Sequence, residues 1–239
     1  MNQLPEIPAR LLPGAAPELG AWAPLAVALA IGVVVLPPLW LRLRLLVTLS
    51  HELGHAVVGL ACGRRFRGFV VNRDMSGHAV TSGRPSGLGL VLSTWAGYPA
   101  PALLGAVLVY AALSGWAGTA LALSALIMLL ALLFARSWGT AGLVILAAAG
   151  ALAAGWFLPA WGSAALVLGL GVFLLVGAWR HLGVVMRSGG RGDDPAALAR
   201  ATRVPAWLWL ASFVLVLVAC TLWVGWPLWR AALTWFAAA

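Results

Sequence analysis

A chain of 239 residues that is 63% hydrophobic and 9% charged lies far from the roughly 25% charged composition of soluble domains. That excludes a water-soluble globular protein and leaves no room for a sizeable soluble domain beside a set of membrane spans. The formal net charge of +9 comes entirely from Arg, and those Arg gather at the ends of apolar runs, which fits an integral membrane protein with the lipid bilayer as its partner rather than nucleic-acid binding.

The opening residues 1–21 carry Pro, Glu6 and Glu18 where a cleavable signal needs a basic region and an apolar core. They read as a cytoplasmic N-terminal tail, so the first span must direct insertion. Seven apolar runs follow, at 22–40, 43–62, 88–113, 118–135, 139–157, 161–179 and 205–229. The expected fold is an all-α integral membrane protein of about seven transmembrane helices. Residues 22–229 form one polytopic domain, and 230–239 a C-terminal tail. The first two runs are joined by a tight turn at Arg42 and Arg44 after the Pro37-Pro38 break. The side holding the N-terminus, residues 63–87, Arg136 and residues 180–204 collects twelve of the fifteen Arg. The N-terminus is therefore expected in the cytoplasm and the C-terminus outside. The Lys-free, Ala- and Arg-rich composition fits a GC-rich bacterial genome and a multi-pass protein of the cell membrane. Cys62 and Cys220 are expected as free thiols.

Two polar segments interrupt the apolar pattern on the cytoplasmic side. Residues 66–82 alternate as a small β-hairpin with a turn at Asn72-Arg73-Asp74-Met75-Ser76-Gly77. Residues 180–204 hold a Gly-rich stretch, Asp193-Asp194 and a short helical pattern at 195–202. In the third run Gly97 and Gly105 flank Pro101, a spacing that could admit a neighbouring helix closely. Pro99 and Pro101 predict either a simple kink or a groove opened by freed backbone groups.

The chemistry lies in the second run, at His51-Glu52-Leu53-Gly54-His55. Residues four apart share a helix face, so His51 and His55 can bind one Zn2+ ion together. Glu52 is one step round and can act as base on a water in the open position of the metal. Three ionisable residues in hydrocarbon cost roughly 2.5–3.5 kcal/mol each, so such a cluster asks for a function. A polar cluster that merely ties spans together is the plainer alternative.

Four stretches, in this order, resemble the site-2 protease family of intramembrane zinc metalloproteases, in its small bacterial branch. They are Thr48-Leu49-Ser50-His51-Glu52-Leu53-Gly54-His55-Ala56, the hairpin with Ser76-Gly77, Ala96-Gly97-Tyr98-Pro99, and Asp194-Pro195-Ala196-Ala197-Leu198-Ala199 with Thr202. The resemblance implies hydrolysis of peptide bonds in membrane-spanning or membrane-anchored proteins. It implies His51 and His55 as zinc ligands, Glu52 as the catalytic base and an Asp as third ligand. The chain departs from the family in lacking a Leu-Asp-Gly triplet and the Asn-containing motif of the third span.

The acidic and imidazole groups outside the motif are few. Glu6 and Glu18 lie in the tail, Asp74 in a turn where Asp is ordinary, and His78 and His181 at expected interfaces. Asp193 and Asp194 remain, and Asp194 falls on the family-like stretch. Against it, Asp194 before Pro195 could simply cap a helix, and its segment would have to fold back into the bundle to reach the His pair. The rival readings are a non-catalytic membrane scaffold or regulator that keeps the motif, and a small-solute transporter, whose two similar halves the sequence does not show.

Overall fold

The computed structural model describes residues 12–18, 20–71 and 77–238. Glu6 and the hairpin turn with Asp74 lie outside the described residues, as does the side chain of His78. The chain is mostly helical: α1 (Trp22–Val35), α2 (Pro37–Leu43), α3 (Leu45–Ala61), a hairpin of β1 (Arg65–Val71) and β2 (Gly77–Ser82), α4 (Leu88–Trp95), α5 (Pro99–Leu113), α6 (Ala117–Leu132), α7 (Trp138–Phe157), α8 (Ala160–Arg187), α9 (Asp194–Thr202) and α10 (Ala206–Ala238).

Among the described residues three helices, α7, α8 and α10, are long and apolar enough to cross a membrane. The number rises to five if each of two bent pairs is one span, and α6 is a shorter apolar helix. Seven is thus an approximate count. Of the long helices α8 is 61% buried against 17% and 22% for the other two, so it forms the centre of the bundle.

The first correction concerns the turn after α1. The chain bends by 93° at Leu36, not at Arg42 and Arg44. Pro37 and Pro38 lack a backbone N–H and disfavour helix at the residue before them, so Leu36 is extended and the prolines open α2 instead. Trp40 therefore belongs to the second helix. The carbonyls freed at the end of α1, Val34 and Val35, accept from the Arg180 guanidinium of α8, which also lies 4.9 Å over the Trp40 ring.

The third apolar run breaks at residues 96–98, with α4 and α5 at 59° to one another. Gly105 serves the expected close approach: a Cβ there would stand 2.6 Å from the Gly171 carbonyl of α8. The α5–α8 contact is the main core, with Ala102, Ala106 and Val109 against Leu168, Val172 and Leu175. Gly97 has a different role, described below.

The hairpin forms as expected, with Phe69 opposite Ala79 and Val71 opposite Gly77. The outer edge of β1 is covered: Phe69 N–H donates to the Phe134 carbonyl at 3.0 Å, Arg136 N–H donates to the Phe69 carbonyl at 3.1 Å, and Val71 N–H donates to Thr140 Oγ1 at 2.9 Å. Because Phe69 and Val71 point their backbone groups outward, Ala79 and Gly77 opposite them point theirs to the other edge of the sheet. That β2 edge has no strand partner among the described residues. Cys62 and Cys220 are both free thiols.

Candidate metal centre

The centre is built on α3. Its run from Leu45 has no Pro and puts His51 and His55 one turn apart on a face that packs against the α4–α5 break. Gly54 makes that packing possible, since a Cβ there would stand 2.8 Å from the Ala96 carbonyl. The same break brings Gly97 over the two imidazoles. A Cβ on Gly97 would meet His55 Cε1 at 2.5 Å and His51 Cε1 at 2.7 Å, so only glycine leaves the rings their place.

Both rings are oriented. His55 Nδ1 lies 2.7 Å from the Ser93 carbonyl, which can only accept, so Nδ1 carries the proton and Nε2 is left as a free lone pair. Ser93 Oγ in turn donates to the His55 carbonyl at 2.9 Å. The His51 ring is flanked by Tyr98, at 4.7 Å between centroids, and by His181, at 5.5 Å.

The third group comes from outside the spans. Between α8 and α9 the chain reverses through Gly189, Gly190 and Gly192, all at positive φ that other residues rarely adopt. The short helix α9 then folds back with Pro195 and Leu198 buried. Asp193, not Asp194, caps it: Asp193 Oδ1 accepts from Asp194 N–H at 2.9 Å. This leaves the Asp194 carboxylate for other work. Its Oδ2 stands 3.2 Å from His51 Nε2 and 3.2 Å from His55 Nε2, and the two Nε2 atoms are 3.0 Å apart.

These three atoms could hold a metal ion. Donors at about 2.0–2.2 Å on a tetrahedral zinc stand roughly 3.3–3.6 Å from one another, within a few tenths of an ångström of the spacing found. Two imidazoles and a carboxylate are an ordinary donor set for zinc, with one position left open. The residues fit the group.

Glu52 is buried beside the cluster and lines the same cavity of about 410 Å³, together with Gly77 of β2 and Arg200 of α9. A Cβ on Gly77 would stand 2.3 Å from Glu52 Oε1, so the hairpin rests directly on the carboxylate.

Two placements escaped the sequence. His181 does not end its helix: α8 runs eight residues beyond Trp179 to Arg187 and carries His181 in beside His51. The signal was available, because Ala178, Leu182 and Val185 continue the buried helical period past the expected end. Tyr98 stands in a family-like stretch, and nothing local in the sequence marks its ring as a neighbour of His51. Glu18 is not part of the cluster; its carbonyl accepts from Trp22 Nε1.

The chain matches the family model of M50B-like peptidases over residues 24–224. No curated protein and no solved structure matches it. That match spans most of the sequence and every group of the metal cluster, so the chain belongs to the M50B-like peptidases, the site-2 protease family that its motifs resemble.

Proposed function

We propose that the protein is an intramembrane zinc endopeptidase that cuts membrane-spanning or membrane-anchored proteins. The observation that carries this reading is the position of Glu52. It lies next in sequence to His51 and faces the same polar cavity as the three convergent donors, in a chain otherwise built of apolar helices. His51, His55 and Asp194 would hold the zinc, which when bound polarises a carbonyl and makes water a better nucleophile near neutral pH. Glu52 takes a proton from the attacking water as the water oxygen bonds to the scissile carbonyl carbon. It then delivers that proton to the amide nitrogen as the C–N bond breaks, leaving a carboxylate and an amine. The free β2 edge supplies Gly77 and Ala79 backbone groups that can pair with an extended substrate above Glu52.

In this reading residues 22–229 are the catalytic domain in the cell membrane, with the site-facing segments on the cytoplasmic side and the N-terminal tail, whose Gly14 N–H donates to the Gly115 carbonyl, at the opposite end of the bundle. The test is metal analysis of purified protein beside cleavage of a membrane protein substrate in detergent. Glu52→Gln should keep its zinc and lose turnover by at least the roughly 10²–10⁴-fold of general acid–base catalysis. Cleavage by Glu52→Gln near the wild-type rate would sink the assignment of proteolysis to this motif, and no cleavage by zinc-loaded wild type would leave the motif as a relic in a scaffold protein.

A further inference from the structure

The cavity over the metal cluster is a slot with two different walls. One wall is β2, through the alternate residues Gly77, Ala79 and Thr81; the other is α9, through Asp194, Ala197 and Arg200, spaced as one face of a helix. His51, Glu52 and His55 form the floor between them. Arg200 is the sole cation among the described residues that line the slot, and it is exposed there. It makes no hydrogen bond or ion pair with the described residues, whereas Arg64 and Arg180 are engaged by carbonyls. The other charged groups of the slot, Glu52, Asp193 and Asp194, are all acidic.

A substrate strand paired with β2 would lie in the cavity that Arg200 also lines. Arg200 stands six positions after Asp194 in α9, about 9 Å along the helix. An extended chain advances about 3.3 Å per residue, so that distance corresponds to two or three substrate residues from the bond at the metal. We propose that Arg200 is a specificity-determining residue: it takes a carboxylate side chain of the substrate, an Asp or Glu, two or three residues from the bond that is cut. The inference rests on the proteolytic reading above for the placement of that bond. The acidic groups elsewhere in the slot repel a carboxylate at other positions, and strand side chains alternate, so the preference belongs to one position and not to its neighbours.

The experiment uses the full-length Glu52→Gln protein, loaded with zinc in detergent, so that binding is read without cleavage. The probes are fluorescent apolar peptides of about 20 residues, identical except for one Asp, Asn or Lys moved stepwise through a flexible central stretch. The expected result is one position at which Asp binds tighter than Asn by about threefold, within the range of exposed ion pairs, and less so at high salt. Adding Arg200→Glu should reverse the order at that position, with Lys now tighter than Asp, and Arg200→Gln should abolish the preference. Zinc content of each protein confirms that the site is intact. Equal binding of Asp and Asn at every position, or a ranking unchanged in Arg200→Glu, overturns the subsite. Cleavage of the Asn peptides by protein with Glu52 intact is scored separately. Cleavage without an acidic preference overturns the subsite alone; an Arg200-dependent preference without any cleavage upholds carboxylate binding at Arg200 and overturns the proteolytic reading together with the placement beside a cut bond.

Discussion

Asp193 and Asp194 differ by one step along the chain, and helix geometry divides their work. Asp193 is extended and its carboxylate accepts the first free N–H of α9, while Asp194 is the first helical residue and projects toward His51 and His55. The cap that the sequence offered to Asp194 belongs to Asp193, which leaves the Asp194 carboxylate facing the two imidazoles. Asp194→Ala should lower zinc affinity by more than the roughly 10–100-fold that losing a supporting hydrogen bond costs. Asp193→Ala should keep its zinc and lose about 0.5–2 kcal/mol of stability, as a lost cap does, measured by thermal unfolding beside metal content. Full zinc occupancy in Asp194→Ala would move ligation to another group. Gly97 offers an independent check at the same scale. Gly97→Ala forces the methyl against both imidazoles and should reduce zinc content without touching any ligand, so unchanged zinc there would mean that the rings have room to move. The His pair was legible because four residues on one helix is local geometry. The approach of Asp194 to that pair is legible only through the family-like stretch, because a reversal through three glycines and the packing of Leu198 decide where α9 lies.

The hairpin is the element whose pattern reads most directly, since alternation of Phe69 and Val71 specifies a strand with one buried face. Which edge stays open is a tertiary matter: residues 134–136 from the α6–α7 connection occupy the β1 side. The register then separates two Pro substitutions. Ala79 sits opposite Phe69, so its N–H faces the open edge, while Val80 sits opposite Gly68 and faces inward. Ala79→Pro removes a donor that only a substrate would use, and should reduce cleavage while leaving zinc content and thermal stability near wild type. Val80→Pro removes a bond of the hairpin itself and should lower stability as well. Equal turnover in Ala79→Pro and wild type would show that the edge does not bind substrate. The bends of the first and third apolar runs show a different limit of sequence reading. The Pro-Pro pair is visible, and its local chemistry already favours a break at Leu36; the 93° angle and the capture of the freed Val34 and Val35 carbonyls by Arg180 of α8 are tertiary matters.

Across the whole molecule the apolar exterior and the polar slot impose one demand: water and the substrate backbone must reach Glu52 without opening the bundle. The slot meets it by lying between the hairpin and α9, two segments outside the spans, so the site opens at the side that holds the Arg-rich connections 63–87 and 180–204. Composition made the membrane class plain, and the count of spans less so, because length and apolarity do not distinguish a straight helix from a bent pair. The expected side of the N-terminus needs correction: Gly14 N–H donates to the Gly115 carbonyl, and residues 12–17 line a cavity with residues 158–164, at the start of α8, whereas the metal cluster lies near its other end. Eleven of the fifteen Arg fall in residues 63–87, Arg136 and residues 180–204, and the positive-inside rule would put that end in the cytoplasm and the N-terminal tail outside. Reporter fusions test this directly in a bacterial host. A periplasm-active phosphatase joined after Ala239 should be active, and the same enzyme inserted at Gly190 should be silent. Single cysteines introduced at Arg67 and Arg191, in a background with Cys62 and Cys220 replaced by Ala, should resist a membrane-impermeant maleimide in intact cells and react after lysis. Labelling of both in intact cells would invert the molecule and place the slot, and the cut it is proposed to make, on the outer face.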